Sequence, residues 1–417
     1  MSLLLNPDPS AATMDKTSDL RVLIIGAGTT GLSVAQGLKK LGILSTVFER
    51  QDTDKYVHWQ REWSMALHWG GAYIKHWPEE IQQDLSSAHN DPNAVMTEEQ
   101  EHTIPMVNGK TGDRLFRIAA DSTRRVSRTK LRLLLSRGID VQYGKKLLRV
   151  DEHHDTITAH FEDGSSAEGT CLVGCDGVRS TVRNFLLPPE EIKLRHIPVT
   201  VFNLTQTFTA EQAKFIRSFD HPWIMISPHP SQDTMALLCL ADINDADNPE
   251  TWVFQLLYSK WVDAEPAATN EERLAQLKEM SQSYCEPFKS AAMWIRDDTY
   301  IHPDRMKDWP NPPKWNNHGG RATLAGDAAH PMAPYRGQGL NNALEDAARY
   351  VSILADVHEG KQSLPDAISA YDDEMRMRGA TEIDVTWKNA YALHHFDALM
   401  DSPIAKHGVT KFNDKKA

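Results

Sequence analysis

The segment GAGTTG, residues 26–31, constrains this chain more than any other. It follows the apolar run RVLII (21–25) and precedes LSVAQGLKKL (32–41), whose apolar residues recur at helical spacing; LSTVF (44–48) then reads as a second strand. A strand–turn–helix–strand unit predicts a parallel sheet, because the helix carries the chain back to start the next strand in the same direction. Glycines at 26, 28 and 31 let the backbone bend tightly and approach a pyrophosphate, and the helix start offers unpaired N–H groups. Glu49, with Arg50 beside it, closes the second strand 18 residues past Gly31. An acid there accepts from ribose hydroxyls and repels a 2′-phosphate, so this cradle favours NAD or FAD over NADP.

The rest of the chain narrows the class. Its 417 residues suffice for one large domain or two to three ordinary ones. A net charge of −12 is a poor match for nucleic acid or anionic lipid. No apolar run reaches membrane-spanning length, and MSLLLNPDPSAATMDK lacks the charge and apolar length of a secretory signal, so the expected location is cytoplasmic. The four cysteines (Cys171, Cys175, Cys239, Cys285) include no CxxC; reduced thiols and no metal site are expected.

Along the chain, 1–19 reads as a disordered leader and 404–417 as a flexible tail. Residues 20–85, 119–190 and 301–360 are assigned to a discontinuous nucleotide-binding domain. Residues 86–118 and 191–300, rich in strand patterning, are assigned to an antiparallel substrate domain, and 361–403 to C-terminal helices. Within the substrate domain Phe202, Phe208, Trp223, Trp252, Phe254 and Trp261 suggest a large apolar or aromatic ligand, although most of them read as core.

Two further segments carry chemistry. In CLVGCDGVRSTVR (171–183) an apolar strand runs into an Asp-Gly turn at Asp176 and a helix start near Ser180. In RATLAGDAAHPMAPYRGQGLNN (321–342) a buried strand ends at Asp327, small alanines allow close approach, and Gly337 and Gly339 lead into a helix whose start would face negative charge. His330 reads as a packed polar residue. A second strand–GxGxxG–helix unit is lacking, so a nicotinamide would bind without a domain of its own.

With these motifs in this order, the chain resembles the single-component FAD-dependent aromatic hydroxylases, the 4-hydroxybenzoate and salicylate hydroxylase family, and most closely fungal members of secondary metabolism. The likeness spans roughly residues 20–390. It implies a Rossmann-like FAD domain of the glutathione-reductase type, interleaved with an antiparallel-sheet substrate domain (α/β, α+β). Gly26, Gly28, Gly31 and Glu49 would hold the ADP half of FAD, with Arg50 and Arg61 near the phosphates and Arg128 as a further FAD contact. Asp176 would serve both FAD and NAD(P)H, and Asp327 the ribityl chain. The backbone from Gly337 through Gly339, Leu340 and Asn341 would face the flavin N1–C2=O edge, with Pro334 beside the ring. Arg336 departs from the family pattern and could reach NAD(P)H or an anionic substrate, or simply face solvent. His68, in WSMALHWG, could shuttle a proton or touch the flavin, or equally be a packed histidine. The implied reaction uses NAD(P)H, NADPH by preference, and O2 to hydroxylate or epoxidise an electron-rich aromatic or indole/alkene-type molecule through a flavin C4a-hydroperoxide. A flavin oxidase, dehydrogenase or cyclisation catalyst on the same fold is the alternative, and a non-catalytic FAD-binding protein a third reading.

Overall fold

The structure is a computed structural model that describes residues 20–57, 62–221 and 223–411. The expected leader, Arg61 and residues 412–417 lie outside the described residues.

A five-stranded sheet carries the motifs, in the spatial order Ala322–Leu324, Cys171–Gly174, Arg21–Ile25, Leu44–Phe48, Val141–Gln142, all parallel. Ile25 is level with both Gly174 and Phe48, and Gly174 with Leu324. GAGTTG, Glu49, the Asp-Gly turn and GDAAHP therefore all leave the sheet at one edge, outside its carboxyl ends, where open α/β sheets bind ligands. Val22, Leu23, Ile24 and Ile25 are all buried, as a parallel strand covered on both faces requires. One cover is the helix Thr29–Leu41, which ends on Gly42 in the left-handed conformation and packs on the helix Gly339–His358. The contact is close: a Cβ on Gly37 would lie 2.6 Å from Val351.

The second body is a seven-stranded sheet, ordered Arg305–Asp308, Arg195–Thr207, Trp252–Trp261, Thr234–Ile243, Ile224–Pro228, Thr103–Val107, Arg114–Ala119. Its pairs are antiparallel except Ile224–Pro228 with Thr103–Val107. Residues 305–308, expected with the nucleotide domain, are an edge strand here, held by a bidentate pair from Arg195 to Asp308 at 2.9 and 2.6 Å. Strand alternation gives the sheet two apolar faces. One packs on the helices Asn270–Ser281 and Phe288–Met293, and it holds Phe202, Phe208, Trp223 and Phe254, with Trp252 against it. These aromatics are core on the face away from the turn at 333–337, in line with the reading of most of them as core. The other face meets Ala333, Tyr335 and the helix Leu364–His394. Trp261 lies on that side, packed edge-on against Trp387 and Tyr391.

The predicted flexible tail is ordered as far as the described residues reach. The short helix Pro403–His407 leads to Gly408, and Val409 N–H donates to Ala119 O at 2.8 Å. No helix among the described residues is long and apolar enough to cross a membrane.

Candidate FAD and active site

Gly26 has φ +107°, and a Cβ there would lie 2.4 Å from the Cys175 carbonyl oxygen; a Cβ on Gly31 would lie 2.1 Å from Gly26 O. Gly28 faces open space, with nothing within 4 Å of its virtual Cβ, and no side chain caps the helix it begins. Glu49 pins this loop: its Oε2 accepts from Ala27 N–H and its Oε1 from Gln51 N–H, both at 3.0 Å. Arg50 is exposed at the rim.

Beside the loop lie two guanidinium groups. Arg128 opens the helix Arg128–Leu135 and stacks on Trp63, 4.9 Å from its ring centroid. Burial and the neighbouring Arg132 charge lower its pKa to about 10. Arg132 lies 3.7 Å from the Tyr56 ring centroid, and its buried Nε and Nη1 have no hydrogen-bond partner. Sequence reading missed Arg132. The available signal was its spacing, one helical turn after Arg128 and therefore on the same face.

Asp176 spends one oxygen on the helix Thr181–Leu186, accepting from Thr181 N–H at 2.7 Å and Val182 N–H at 3.3 Å; its buried Oδ1 has no partner. Arg183 ties this turn to the late motif by donating to Ala328 O at 3.0 Å.

Asp327 stands on the open wall of the cleft yet is enclosed by enough protein that burial raises its pKa. It makes no hydrogen bond to any described residue, whereas the nearby Asp346 is engaged on both oxygens. Asp346 accepts from Gly326 N–H at 2.7 Å, from His330 Nε2 at 2.6 Å and from Arg378 at 2.5 Å. These contacts leave His330 as a support for the motif, in line with its reading as a packed residue.

The turn after GDAAHP is tight. Gly337 N–H donates to Pro334 O at 2.9 Å, and Gly337 has φ +66°. Pro334 is exposed, and Gly339 faces open space. The 20-residue helix Gly339–His358 begins there without a side-chain cap. Leu340 is buried, and the Asn341 side chain is structural: its Oδ1 accepts from His68 and Gly70 N–H at 2.9 Å, and its Nδ2 donates to Ala66 O at 3.1 Å. His68 is buried against this turn. Its Nδ1 contacts Ser122 O, and its Nε2 would lie 3.6 Å from a Cβ on Gly337. Burial lowers its pKa to about 4.

Arg336 does not face the cleft as expected. Its buried guanidinium pairs with Glu382 at 2.7 Å and donates to Gly408 O and Thr410 O at 3.3 and 2.6 Å. Gln338 adds a bond to Val409 O at 3.1 Å. A buried ion pair with two carbonyl acceptors is an anchor for 408–410, and its geometry withholds it from a nicotinamide or substrate.

The site fits FAD well. An uncapped helix start and two adjacent arginines suit a pyrophosphate, an unpartnered acid suits a polyol, and a second uncapped helix start suits an anionic ring edge.

Comparison with known proteins agrees. The FAD binding domain family matches residues 88–386, and the pyridine nucleotide-disulphide oxidoreductase family matches 21–58. The chain is 37% identical to the FAD-dependent monooxygenase phnB of Penicillium herquei, over 93% of this chain and 94% of that one. It is 34% identical to the FAD-dependent monooxygenase cctM of Talaromyces islandicus, over 95% and 98%. Among solved structures, Klebsiella pneumoniae HpxO complexed with FAD and uric acid superposes with a TM-score of 0.71 at 20% identity, covering 92% of this chain and 90% of that one. The 2,6-dihydroxypyridine-3-hydroxylase of Arthrobacter nicotinovorans gives 0.71 at 17%, covering 91% and 94%; both likenesses concern the fold. A family match across most of the chain and relatives above 30% identity lead to one conclusion: the chain belongs to the FAD-dependent flavoprotein monooxygenases.

Proposed function

We propose that the protein takes reducing equivalents from NAD(P)H, NADPH by preference, and uses O2 to hydroxylate or epoxidise an electron-rich small molecule in natural-product synthesis in the cytoplasm. The observation that carries this reading is the turn 334–339, which joins the FAD cradle to the inner face of the large sheet. Ala333 and Tyr335 belong to the sheet's core while Pro334 and Gly339 face open space. A ring held along this turn would be within reach of a substrate held on the sheet. FAD, when bound, supplies the activation of O2; the chain must bind it, orient the substrate and exclude water.

Gly26, Gly28 and Gly31 let the backbone approach the pyrophosphate, Glu49 receives ribose hydroxyls, and Arg50, Arg61, Arg128 and Arg132 supply positive charge. Asp176 holds its turn, and Asp327 binds the ribityl hydroxyls. The N–H groups of Gly339, Leu340 and Asn341 stabilise negative charge on the ring edge. Asp327→Ala should lower the FAD content of the purified protein at least tenfold, read from flavin absorbance per chain. Full occupancy would refute the ribityl assignment.

His68 acts as a neutral acceptor. Nδ1 donates to Ser122 O, which leaves the Nε2 lone pair beside the flavin turn. His68→Phe should lower kcat by about tenfold or more while FAD content holds. Because the native pKa is about 4, this group should add no inflection to the wild-type rate profile between pH 5 and 8. An inflection that disappears in the variant would contradict the neutral assignment.

The decisive assay for the reaction measures substrate-dependent NADPH oxidation together with transfer of labelled oxygen from O2 into product. Peroxide formation without label in the product would favour the oxidase reading.

A further inference from the structure

The short strand Ser64–Ala66 lies where the two bodies meet. It pairs with Arg125–Ser127, and Arg125 stands directly opposite Ala66. Opposite residues of an antiparallel pair share a face, and so do residues two apart in one strand. Ser64, Ala66 and Arg125 therefore project to one side. That side touches both halves of the site. A Cβ on Gly337 would lie 3.1 Å from the Ala66 side chain, which sets Ala66 against the flavin turn. Ser64 Oγ lies 3.6 Å from Cys239 Sγ, on the sheet face that also packs Ala333 and Tyr335.

Arg125 brings a guanidinium into this junction. It is only 8% exposed, and its Nε and Nη2 donate to Ser64 Oγ and Ser64 O at 2.9 and 2.8 Å. Both acceptors are neutral, and no carboxylate among the described residues pairs with it. Arg336 and Arg378, also buried, each hold a carboxylate, from Glu382 and Asp346. Taking a cation out of water without a counter-charge is costly, so the missing anion calls for an explanation. The third nitrogen, Nη1, makes no hydrogen bond to any described residue and is not sealed from solvent. It is free for a ligand that enters between this strand, the flavin turn and the sheet. Burial chiefly, and the Arg125 charge in addition, keep the nearby His68 ring neutral, so His68 does not share the anion.

We propose that Arg125 is a substrate-recognition residue that binds the substrate through an anionic oxygen, either an ionised phenol or enol or a carboxylate. This rests on the monooxygenase reading above. The anion completes a charge-assisted hydrogen bond to Nη1 and supplies the counter-charge that the protein withholds. A phenol bound in this way releases its proton to solvent and becomes the more electron-rich ring. An ether of the same shape accepts a hydrogen bond but leaves the cation unpaired.

The test is equilibrium dialysis of the FAD-loaded protein without nicotinamide against 4-nitrophenol, 4-nitrobenzoate and the neutral 4-nitroanisole. Wild type should bind at least one of the two acids tenfold or more tightly than the ether. A preference for 4-nitrophenol, with its yellow anion as the bound form, identifies a phenolate; a preference for 4-nitrobenzoate identifies a carboxylate. Arg125→Gln should reduce the preference to less than about threefold with FAD content unchanged, and Arg125→Lys should keep most of it. No preference for either acid in wild type would overturn the assignment even if the variants failed to fold. An undiminished preference in Arg125→Gln would overturn it too, and loss of FAD from that variant with the preference intact would make Arg125 a cofactor ligand instead. Because no turnover is involved, a protein that shows the expected preference but never oxidises NADPH would contradict the monooxygenase reading and leave this assignment standing.

Discussion

Asp346→Ala is expected to be the most damaging single substitution in the FAD domain. Asp346 is fully buried and gathers the Gly326 N–H, the His330 ring and the Arg378 guanidinium. Despite its burial, the His330 and Arg378 charges hold its pKa down at about 2. Removing it leaves Arg378 with Glu345 at 3.5 Å and Glu374 at 3.0 Å, and leaves two donors, Gly326 N–H and His330 Nε2, without an acceptor. Each buried donor left unsatisfied costs about 1–3 kcal/mol. The damage should also reach function, because Gly326 immediately precedes Asp327. Urea unfolding should show the stability loss, and the purified variant should have lost most of its flavin. A variant with native stability and full flavin would remove this network from the account of the site.

Acid should destabilise the protein earlier than its carboxylates alone would dictate. His68, His76, His221 and His394 are all held near pKa 4, chiefly by burial. Their contacts agree. His394, for example, donates from Nδ1 to Ala390 O at 2.7 Å and accepts from Ser259 at Nε2 at 2.8 Å, which suits a neutral ring. An unfolded histidine titrates near 6.5, so between about pH 6.5 and 4 the unfolded chain binds protons that the native chain refuses, and stability falls as pH falls. Asp372 works the other way. Its native pKa is raised by burial to about 6, so the native state takes up a proton that the unfolded carboxyl releases. Asp176 and Asp327, also raised by burial, oppose the histidines further at the acid end. With at least two protons net, the slope is about 3 kcal/mol per pH unit below pH 6.5. Urea midpoints measured from pH 7 to 5 should fall steeply, and replacing His394 with Gln should flatten the curve. A midpoint independent of pH over that range would show that these rings are charged in the native state.

Much of the proposed FAD site was legible in the sequence because its parts are local. A glycine turn, an acid one strand later and an acid after a buried strand each follow from a few neighbouring residues, and the parallel register brings them to one edge. What was not legible depends on partners distant in the chain. NNALEDAARY, residues 341–350, has the look of a charged helix surface, with Glu345 and Arg349 spaced for a solvent pair. Yet Glu345 and Asp346 are fully buried, since Arg378, from the helix Leu364–His394, reaches both. Arg336 was misread for the same reason: its partners Glu382, Gly408 and Thr410 are 46 to 74 residues away. The aromatics of the substrate domain showed strand patterning but not which face would meet the flavin. That assignment came only from the pairing of the sheet with the turn at 333–337.

The docking of residues 408–411 on the flavin turn bears on how the protein is made. Lys411 donates to Tyr73 and Glu345 at 2.7 and 2.9 Å, and the carbonyls of 408–410 receive Arg336 and Gln338. GAGTTG emerges from the ribosome early, but the turn at 334–339 receives its last braces only with residues 408–411. Until then the nascent chain carries a half-built cradle and an exposed sheet face, a state prone to aggregation. Flavin supply and chaperone capacity during synthesis should therefore govern soluble yield more than the stability of the finished enzyme does.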